Sequence, residues 1–196
     1  PLFAPSPVIM LRNALSVVGS ERRFWKRIYW IGLALMTLIS LLSSRHAIAV
    51  SEYSRKALTF GFRRTAQRKV SVVHHGVDET YSPPHERTRN SYLLAVSDIY
   101  VQKNYHTLVH ALAIVRKRCP DLRLKFAGRR IDEEYFKEVT ESIQFCGLEN
   151  EVEYLGPLSR ESLRQHYRKC AVFVFPSAVE TFGHPLVEAM ACGAPI

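Results

Sequence analysis

The strongest constraint on the fold is a regular alternation of short apolar runs with longer segments of helical character. In the second half of the chain the apolar runs carry few charges and lie at residues 91–97, 122–128, 151–156 and 170–176. Strands that are apolar along their whole length are typical of parallel sheets covered by helices on both faces. The sequence therefore predicts an α/β fold with a doubly wound parallel sheet.

Capping residues place the helices between these strands. Asn104 and Ser159 can accept hydrogen bonds from the first backbone N–H groups of a helix. Pro185 suits a first helical turn, because its missing N–H has no partner there to lose. The predicted helices span residues 104–117, 132–146 and 159–169, and a last one begins at Pro185.

The first part of the chain shows the same alternation. Strands are predicted at residues 8–12, 46–50 and 69–74, and helices at 21–44 and from Ser51 to about Phe60. A linker rich in proline and charge follows near residues 76–90. We therefore predict two Rossmann-like parallel-sheet domains, at residues 1–80 and 81–196.

One apolar stretch, from Ile28 to Leu42, belongs either to a protein core or to a membrane. Its fifteen residues fall short of the roughly 20 that a membrane-spanning helix needs. The flanking segments, ERRFWKR and SSRH, are basic. We expect a helix buried in the protein; a helix on a membrane surface and a true span are the alternatives.

The positive charge is concentrated in the first half of the chain. Residues 1–90 hold 14 Lys and Arg against 5 Asp and Glu, whereas residues 91–196 hold 13 of each. This asymmetry indicates either a solvated basic surface or peripheral association with an anionic membrane surface. We expect no nucleic-acid partner, because the sequence contains no zinc-finger spacing and no RNA-binding aromatic signature.

The cysteines indicate a reducing compartment. The four lie at positions 119, 146, 170 and 192, and no two form a C-x-x-C pair. This spacing favours reduced, mostly buried thiols over a disulfide framework. The expected location is the cytoplasm, either free in solution or peripherally associated with a membrane.

Two loops at predicted strand ends carry candidate ligand-binding residues. Ligands of open α/β sheets bind outside the carboxyl ends of the strands. In SDIYVQKN, Lys103 can reach back over the strand ends as a point charge suited to phosphate. In AGRRID, Gly128 allows close backbone approach, and Arg129 and Arg130 suit a phosphate or a base. A solvated lysine and solvated arginines are the alternatives.

A third loop, FPSAVETFGHP, leads from a strand into the last helix. Because Gly183 has no side chain, the backbone N–H groups around it can approach a ligand. The N-terminus of the helix favours an anion at the same place. Glu188 lies one turn into the helix, where a carboxylate can accept hydrogen bonds from a ribose diol. Glu180 lies in the loop and can bind a second set of hydroxyls. Helix capping is the simpler alternative for both glutamates.

Together these segments resemble the retaining glycosyltransferases of family four, whose GT-B fold pairs two Rossmann-like domains. The resemblance covers residues 45–196 well and 1–44 loosely. It rests on the order and spacing of AVSEYSRKAL, VVHHGVD, LLAVSDIYVQKN, LKFAG, VEYLGPLSRESLRQHYRKCAVFVFPS and ETFGHPLVEAMACGAPI, the last of which carries the family's E-x7-E motif. It implies that residues 1–80 end the acceptor-side domain and that residues 81–196 form most of the donor-binding domain.

The resemblance also implies a role for each candidate residue. Glu188 is expected to hold the ribose of a nucleotide-sugar donor, and Glu180 the hydroxyls of the transferred sugar. The backbone of Phe182 and Gly183 is expected to line the sugar and phosphate. Lys103 is expected to neutralise the departing diphosphate, so no metal and no other cofactor is expected.

The chain departs from the family pattern before the loop lysine. The family often has Gly-Arg where this chain has Ser97 and Asp98. The arginine normally helps to hold the diphosphate, so its absence puts one phosphate contact in doubt. The Ser97 hydroxyl can donate one hydrogen bond to the donor but brings no charge.

The resulting expectation is transfer of a hexose from a nucleotide sugar to a saccharide or lipid-linked acceptor, with retention of configuration. Two alternatives are a non-catalytic nucleotide-sugar or polysaccharide-binding relative and a glycoside hydrolase that uses Glu180 and Glu188 as an acid–base pair. In the family GAPI leads into another strand, and most of the acceptor-side domain precedes Pro1. We therefore expect the 196 residues to be a fragment without activity of its own.

Overall fold

The computed structural model describes residues 8–11, 23–58, 68–85 and 90–196. The chain divides into two compact units. The first comprises Pro1–Gly76 together with Val179–Phe182, and the second comprises Val77–Ala178 and Gly183–Ile196. Both contain parallel sheets and helices.

The described part of the first unit contains a three-stranded parallel sheet in the order β1-β2-β3. The residue spans are Val8–Leu11 for β1, His46–Ala49 for β2 and Val70–Val72 for β3, with helices α1 at Phe24–Ser43 and α2 at Glu52–Leu58. A small core forms where Leu41 of α1 packs with Ala47, Ala49 and Val70. The predicted strands are confirmed, and residues 12, 21–22 and 59–60 of the predicted elements lie outside the described residues.

Helix α1 contradicts the expectation of a buried helix. Leu41 is its only buried residue among those the structure describes. Most of its other apolar side chains, including Trp25 and Leu35, are exposed. This is the one helix in the described ranges that is long and apolar enough to cross a bilayer by length and composition. The prediction failed because apolar composition indicates that a helix will leave water without indicating what covers it.

The second unit contains a four-stranded parallel sheet in the order β6-β5-β4-β7. Its strands are β4 at Tyr92–Val96, β5 at Arg123–Ala127, β6 at Val152–Gly156 and β7 at Val172–Phe173; its helices are α3 at Tyr105–Val115, α4 at Glu133–Phe145, α5 at Arg160–Lys169 and α6 at His184–Ala191, with a 3-10 turn at Val101–Lys103. The predicted order of elements is confirmed.

The central strands β4 and β5 of the second sheet contribute buried residues to both faces, as the apolar strands predict. Successive residues of β4 alternate between two cores: Ala95 joins the cluster of α3 and α4, and Leu94 joins the cluster of α5 and α6. Phe126 and Ala127 at the end of β5 divide in the same way. Because side chains of a strand alternate in direction, each face of the sheet receives its own layer of helices.

The chain reverses its direction of winding at β4. From β4 it proceeds outward through β5 to β6, and then returns to add β7 on the other side of β4. The carboxyl ends of β4 and β7 therefore flank a topological switch point, where open α/β sheets bind their ligands.

Two local predictions are wrong in detail. The strand predicted at 170–176 has only two residues, Val172 and Phe173. The last bond to β4 runs from the Val174 N–H to the Leu94 carbonyl at 2.8 Å, and Pro176, which has no N–H, cannot extend the ladder.

The predicted side-chain cap at Asn104 does not form. Asn104 lies at the N-cap position of α3, but it has a left-handed backbone with φ of 57° because it also ends the 3-10 turn. Its side-chain oxygen accepts from the Thr107 hydroxyl at 2.8 Å instead of from a backbone N–H. Ser159 does cap α5, accepting from the Ser162 N–H at 3.2 Å.

Replacing Gly128 by alanine is expected to destabilise the second unit. A Cβ at Gly128, whose φ is +147°, would lie 1.9 Å from the Ser97 carbonyl oxygen, so the loops after β4 and β5 would have to separate. Gly147 provides a matched control, because its φ is +64° but no atom lies within 4 Å of a Cβ there. Urea denaturation should show a loss of about 1 kcal/mol for Gly147→Ala and a clearly larger loss for Gly128→Ala. Equal losses would contradict the close approach.

Candidate functional site

Lys103 lies at the switch point of the second sheet. It is buried, and its ammonium nitrogen lies 5.4 Å from the ring centre of Tyr100 and 5.6 Å from that of Phe175. Phe175 follows β7, so the cation lies beside the carboxyl ends of both β4 and β7. Aromatic faces stabilise a cation at this distance. The alternative of a solvated lysine is therefore excluded.

The loop after β4 is joined directly to the loop after β7. The Ala178 N–H donates to the Gln102 carbonyl at 2.8 Å. The side-chain oxygen of Gln102 is buried and has no hydrogen-bond partner among the described atoms. A buried acceptor normally has a partner, so this position can accept a bond from a ligand hydroxyl or amide. No sequence pattern marks Gln102 as a site residue, because burial of its side chain depends on the fold.

Arg129 forms a two-pronged ion pair with Asp98. Its Nε and Nη2 donate to the two carboxylate oxygens at 3.1 and 2.6 Å, and its backbone N–H donates to Oδ1 at 3.1 Å. Burial acts to raise the pKa of Asp98, but the bonds from Arg129 and the charges of Arg129 and Lys103 lower it below its usual value. Asp98 is therefore an ionised anchor for the guanidinium, which stays largely exposed.

Ser97 and Gly128 serve the packing of these same loops. The Ser97 hydroxyl lies 2.9 Å from the hydroxyl of Tyr105, which is buried in α3. The Gly128 N–H donates to the Gly156 carbonyl at 3.0 Å, and its own carbonyl accepts from the Tyr154 hydroxyl at 2.8 Å. Together with Asp98, Lys103 and Arg129, these residues form one cluster at the carboxyl ends of β4 and β5.

Glu188 projects from α6 and is held by tyrosines. The hydroxyl of Tyr167, which is fully buried, donates to Glu188 Oε2 at 3.1 Å. Tyr81 lies near the same carboxylate, and each group influences the pKa of the other. These contacts fix the orientation of the carboxylate and leave capacity to accept further bonds. The tyrosines were not recognised in the sequence, because Tyr81 lies in the linker and Tyr167 follows an ordinary helical pattern.

Burial raises the pKa of Glu188. Loss of solvation is the largest effect, and it is opposed by the hydrogen bond from Tyr167, the charge of Arg160 and the nearby Tyr81. Desolvation and, after it, the same carboxylate raise the pKa of Tyr167, which stays protonated as a donor. A partly desolvated carboxylate is costly for the fold and is typical of a functional position.

Gly183 begins α6. It is buried, has φ of +83°, and its carbonyl accepts from the Leu186 N–H at 3.0 Å. Pro185 lies in the first turn of the helix, as predicted. A side chain at position 183 would strain this left-handed backbone.

The segment Val179–Phe182, with Glu180, groups with the first unit. The Thr181 carbonyl accepts from the hydroxyls of Ser51 and Ser54 at 2.5 and 3.2 Å. The ring of Phe182 lies 6.4 Å from that of His74 and 5.3 Å from that of His75. The two histidines in VVHHGVD, which the sequence analysis did not include among the candidates, thus contact the loop of the first glutamate.

Two histidines on α3, His106 and His110, each contact a side chain of the neighbouring helix region. His106 Nδ1 lies 3.1 Å from the Tyr135 hydroxyl, and His110 Nδ1 lies 3.5 Å from Cys146 Sγ. Among the residues that the structure describes, no group of three or more His, Cys, Asp or Glu side chains could hold a metal ion.

Comparison with known families decides the assignment. The sequence model of the glycosyl transferases group 1 family matches residues 78–196, which is more than half of the chain. The chain belongs to this family. The match covers nearly all of the second unit and includes Lys103, Arg129 and Glu188.

Individual relatives agree with the family assignment. The chain is 32% identical over 108 residues to mannosylfructose-phosphate synthase of Agrobacterium fabrum, covering 53% of this chain and 24% of that protein. It is 24% identical over 193 residues to the O-antigen chain mannosyltransferase RfbU of Salmonella typhimurium, covering 95% and 52%. The chain thus spans about half or less of the length of these relatives.

A solved structure confirms the GT-B type of fold. HepE of Anabaena, crystallised with UDP and glucose, superimposes with a TM-score of 0.77 at 23% identity, covering 97% of this chain and 52% of HepE. The fold class predicted from the sequence, an α/β fold of the GT-B type, is therefore confirmed.

We expect the partly buried charge of Glu188 to lower the stability of the fold. Glu188→Gln retains an acceptor for Tyr167 without a desolvated charge, so at neutral pH it should unfold at the same temperature as wild type or higher. Glu188→Ala leaves the buried Tyr167 hydroxyl unsatisfied and should lose about 1–3 kcal/mol. Thermal denaturation of both variants makes the comparison.

The pH dependence gives a second criterion. The folded pKa of Glu188 is raised, so its ionised form costs stability above that pKa, and any advantage of Glu188→Gln should vanish as the pH falls through it. A Glu188→Gln protein as unstable as Glu188→Ala would show that the carboxylate itself holds the fold together.

Proposed function

We propose that the protein containing this chain is a retaining glycosyltransferase that moves a hexose from a nucleotide-sugar donor to a saccharide or lipid-linked acceptor. One observation carries this proposal: the Lys103 cation is buried at the switch point between β4 and β7, in a chain that belongs to the family. A buried cation at the ligand-binding edge of an open sheet suits a diphosphate. We place the reaction in the cytoplasm, which the four free cysteines support.

Charged and hydrogen-bonding groups of the second unit can each be assigned to one part of the nucleotide sugar. In this proposal Lys103 stabilises the negative charge that develops on the departing diphosphate. Glu188, oriented by its tyrosines, accepts hydrogen bonds from the ribose hydroxyls. The backbone at Gly183, at the N-terminus of α6, lies along the sugar and phosphate.

The remaining candidate residues are assigned to the transferred sugar and to the second phosphate. Glu180 and the backbone of Phe182 contact the sugar. Arg129, anchored by Asp98, presents an exposed guanidinium to the diphosphate, in place of the arginine that the family often has at position 98. Ser97 and Gly128 hold the loops that carry these charges. No metal enters the proposal, since the cations named here supply the charge stabilisation.

The relatives support the class of substrate. RfbU is a mannosyltransferase of O-antigen chains, and HepE was crystallised with UDP and glucose. A polysaccharide or lipid-linked saccharide of the cell envelope is accordingly the acceptor class that we propose.

Nucleoside diphosphates are expected to stabilise the complete protein, and the loss of Lys103 or Glu188 should clearly reduce this effect. Saturation at about 100 times the dissociation constant adds roughly 2.7 kcal/mol of stability. Thermal unfolding should be measured with UDP, GDP and ADP, with and without their sugars, for wild type, Lys103→Met and Glu188→Ala. Lys125→Met is the control, because Lys125 pairs with Glu153 on β6, away from the cluster.

The expected pattern is a rise in Tm for one base, at least ~10-fold weaker binding in the two site variants and unchanged binding in Lys125→Met. No rise with any nucleotide in wild type would reject the donor site. Donor binding without turnover in the complete protein would instead favour a non-catalytic relative, for which the unusual Asp98 is the supporting observation.

The configuration of the product tests the second part of the proposal. With a donor of α configuration, NMR of the purified product should show an α-linked sugar, because no inversion occurs at the anomeric carbon. A β-linked product would contradict retention. Cleavage of a simple glycoside by water, without any nucleotide, would replace the proposal with a hydrolase that uses Glu180 and Glu188.

A further inference from the structure

Helix α1 presents an outward face that carries no charge. On a helix with 3.6 residues per turn, the positions opposite the buried Leu41 are Trp25, Ile28, Tyr29, Leu35, Met36 and Ile39, and all are exposed. Gly32 continues the same face. A surface helix of a water-soluble domain normally has polar and charged residues on this side. The outward face of α1 is therefore suited to an apolar environment.

The opposite side of α1 is attached to the first unit at its C-terminal end. Leu41 is buried in the small core of the sheet. The ammonium group of Lys69 donates to the carbonyls of Leu41 and Leu42 at 3.0 and 2.9 Å. These bonds satisfy carbonyls that a helix end otherwise leaves open and fix the orientation of the helix on the unit.

The surroundings of α1 are strongly basic. Residues 21–45 contain five Lys and Arg and a single acid, Glu21, and residues 1–76 contain 12 Lys and Arg against 2 Asp and Glu. Lys26 and Arg27 in the first turn are exposed. Aromatic residues accompany them, with Trp25 and Tyr29 in the first two turns. Basic and aromatic side chains beside an apolar helical face match the chemistry of an anionic lipid surface.

We propose that α1 lies in the surface layer of an anionic lipid bilayer, with its outward face among the acyl chains and the basic residues at the headgroups. The inference is independent of the proposed sugar transfer. It commits to a lipid surface because a protein partner would not by itself account for the excess of positive charge.

The topology favours a helix that lies on the membrane over one that crosses it. Strands β1 and β2 precede and follow α1, and they pair with each other in parallel, with Val8 beside His46. Both ends of the helix are therefore connected to one sheet. At about 30 Å, α1 has the length of a span, but a span would place its two ends on opposite sides of the bilayer.

Of the two tryptophans of the chain, Trp25 lies on the outward face and reports directly on this surface, whereas Trp30 is half-buried on the side of Leu41. In the complete protein their fluorescence emission should shift to shorter wavelength on addition of phosphatidylcholine vesicles that contain phosphatidylglycerol. Brominated acyl chains in the same vesicles should quench it. Vesicles of phosphatidylcholine alone should have a much smaller effect, and added salt should weaken binding. The double change Trp25→Phe, Trp30→Phe identifies the signal of α1.

Substitution on the outward face supplies the matched comparison. Leu35→Glu and Met36→Glu should each weaken sedimentation with anionic vesicles by about tenfold or more, because burial of one such side chain is lost. Ile114→Glu on α3, an equally exposed apolar position of the second unit, should leave vesicle binding unchanged. Unchanged thermal unfolding of the α1 variants confirms that they fold.

Three results would overturn the proposal. The first is an emission spectrum that vesicles do not change. The second is emission already at short wavelength without lipid, which would mean that protein covers the helix in the complete molecule. The third is an emission shift that follows protein concentration in the absence of lipid, which would assign the face to a second copy of the chain.

Discussion

Parallel pairing on both sides of β4 is the interaction on which the rest of the second unit depends. It places β5 and β7 as neighbours of one strand, and so brings three carboxyl ends to one edge of the sheet. Lys103 follows β4, Arg129 follows β5 and Phe175 follows β7. Without this pairing the loop that carries Lys103 and the loop that carries Phe175 would lie apart. The fold therefore creates the candidate site before any ligand is present.

The charges at this edge depart from the pattern that the resemblance led us to expect. An acid at position 98, where a base is common in the family, would repel a diphosphate if it were alone. In this chain Asp98 is ionised and binds Arg129 through three hydrogen bonds, so the two charges compensate and the guanidinium is held in a fixed direction. In the proposed function, a change of sign at one position is balanced by an arginine that a neighbouring strand supplies.

Much of the fold could be predicted from the sequence, because each strand and helix carries local information. Apolar runs gave the strands, Ser159 gave a helix start, and the E-x7-E spacing led to Glu188. Properties that depend on distant residues could not be found in this way. Three such properties depend on contacts between segments that are apart in the sequence. They are the burial of Lys103 beside Phe175, the bond from Tyr167 to Glu188 and the contact of Phe182 with His75.

Helix α1 shows the limit most clearly. Its apolar composition predicted a helix out of water, and the expectation of a protein core proved wrong, because the strands around it supply only a small core at Leu41. The two-residue length of β7 illustrates the same limit on a smaller scale. Apolar character extends to Phe175, but pairing ends where the partner strand and a proline allow no further bond.

The most direct test of the account is a crystal structure of the complete protein with a bound nucleoside diphosphate. The account predicts the diphosphate beside Lys103 at the carboxyl ends of β4 and β7, with the ribose hydroxyls donating to Glu188. Nucleotide bound at another edge of the sheet, or a ribose that does not contact Glu188, would contradict it.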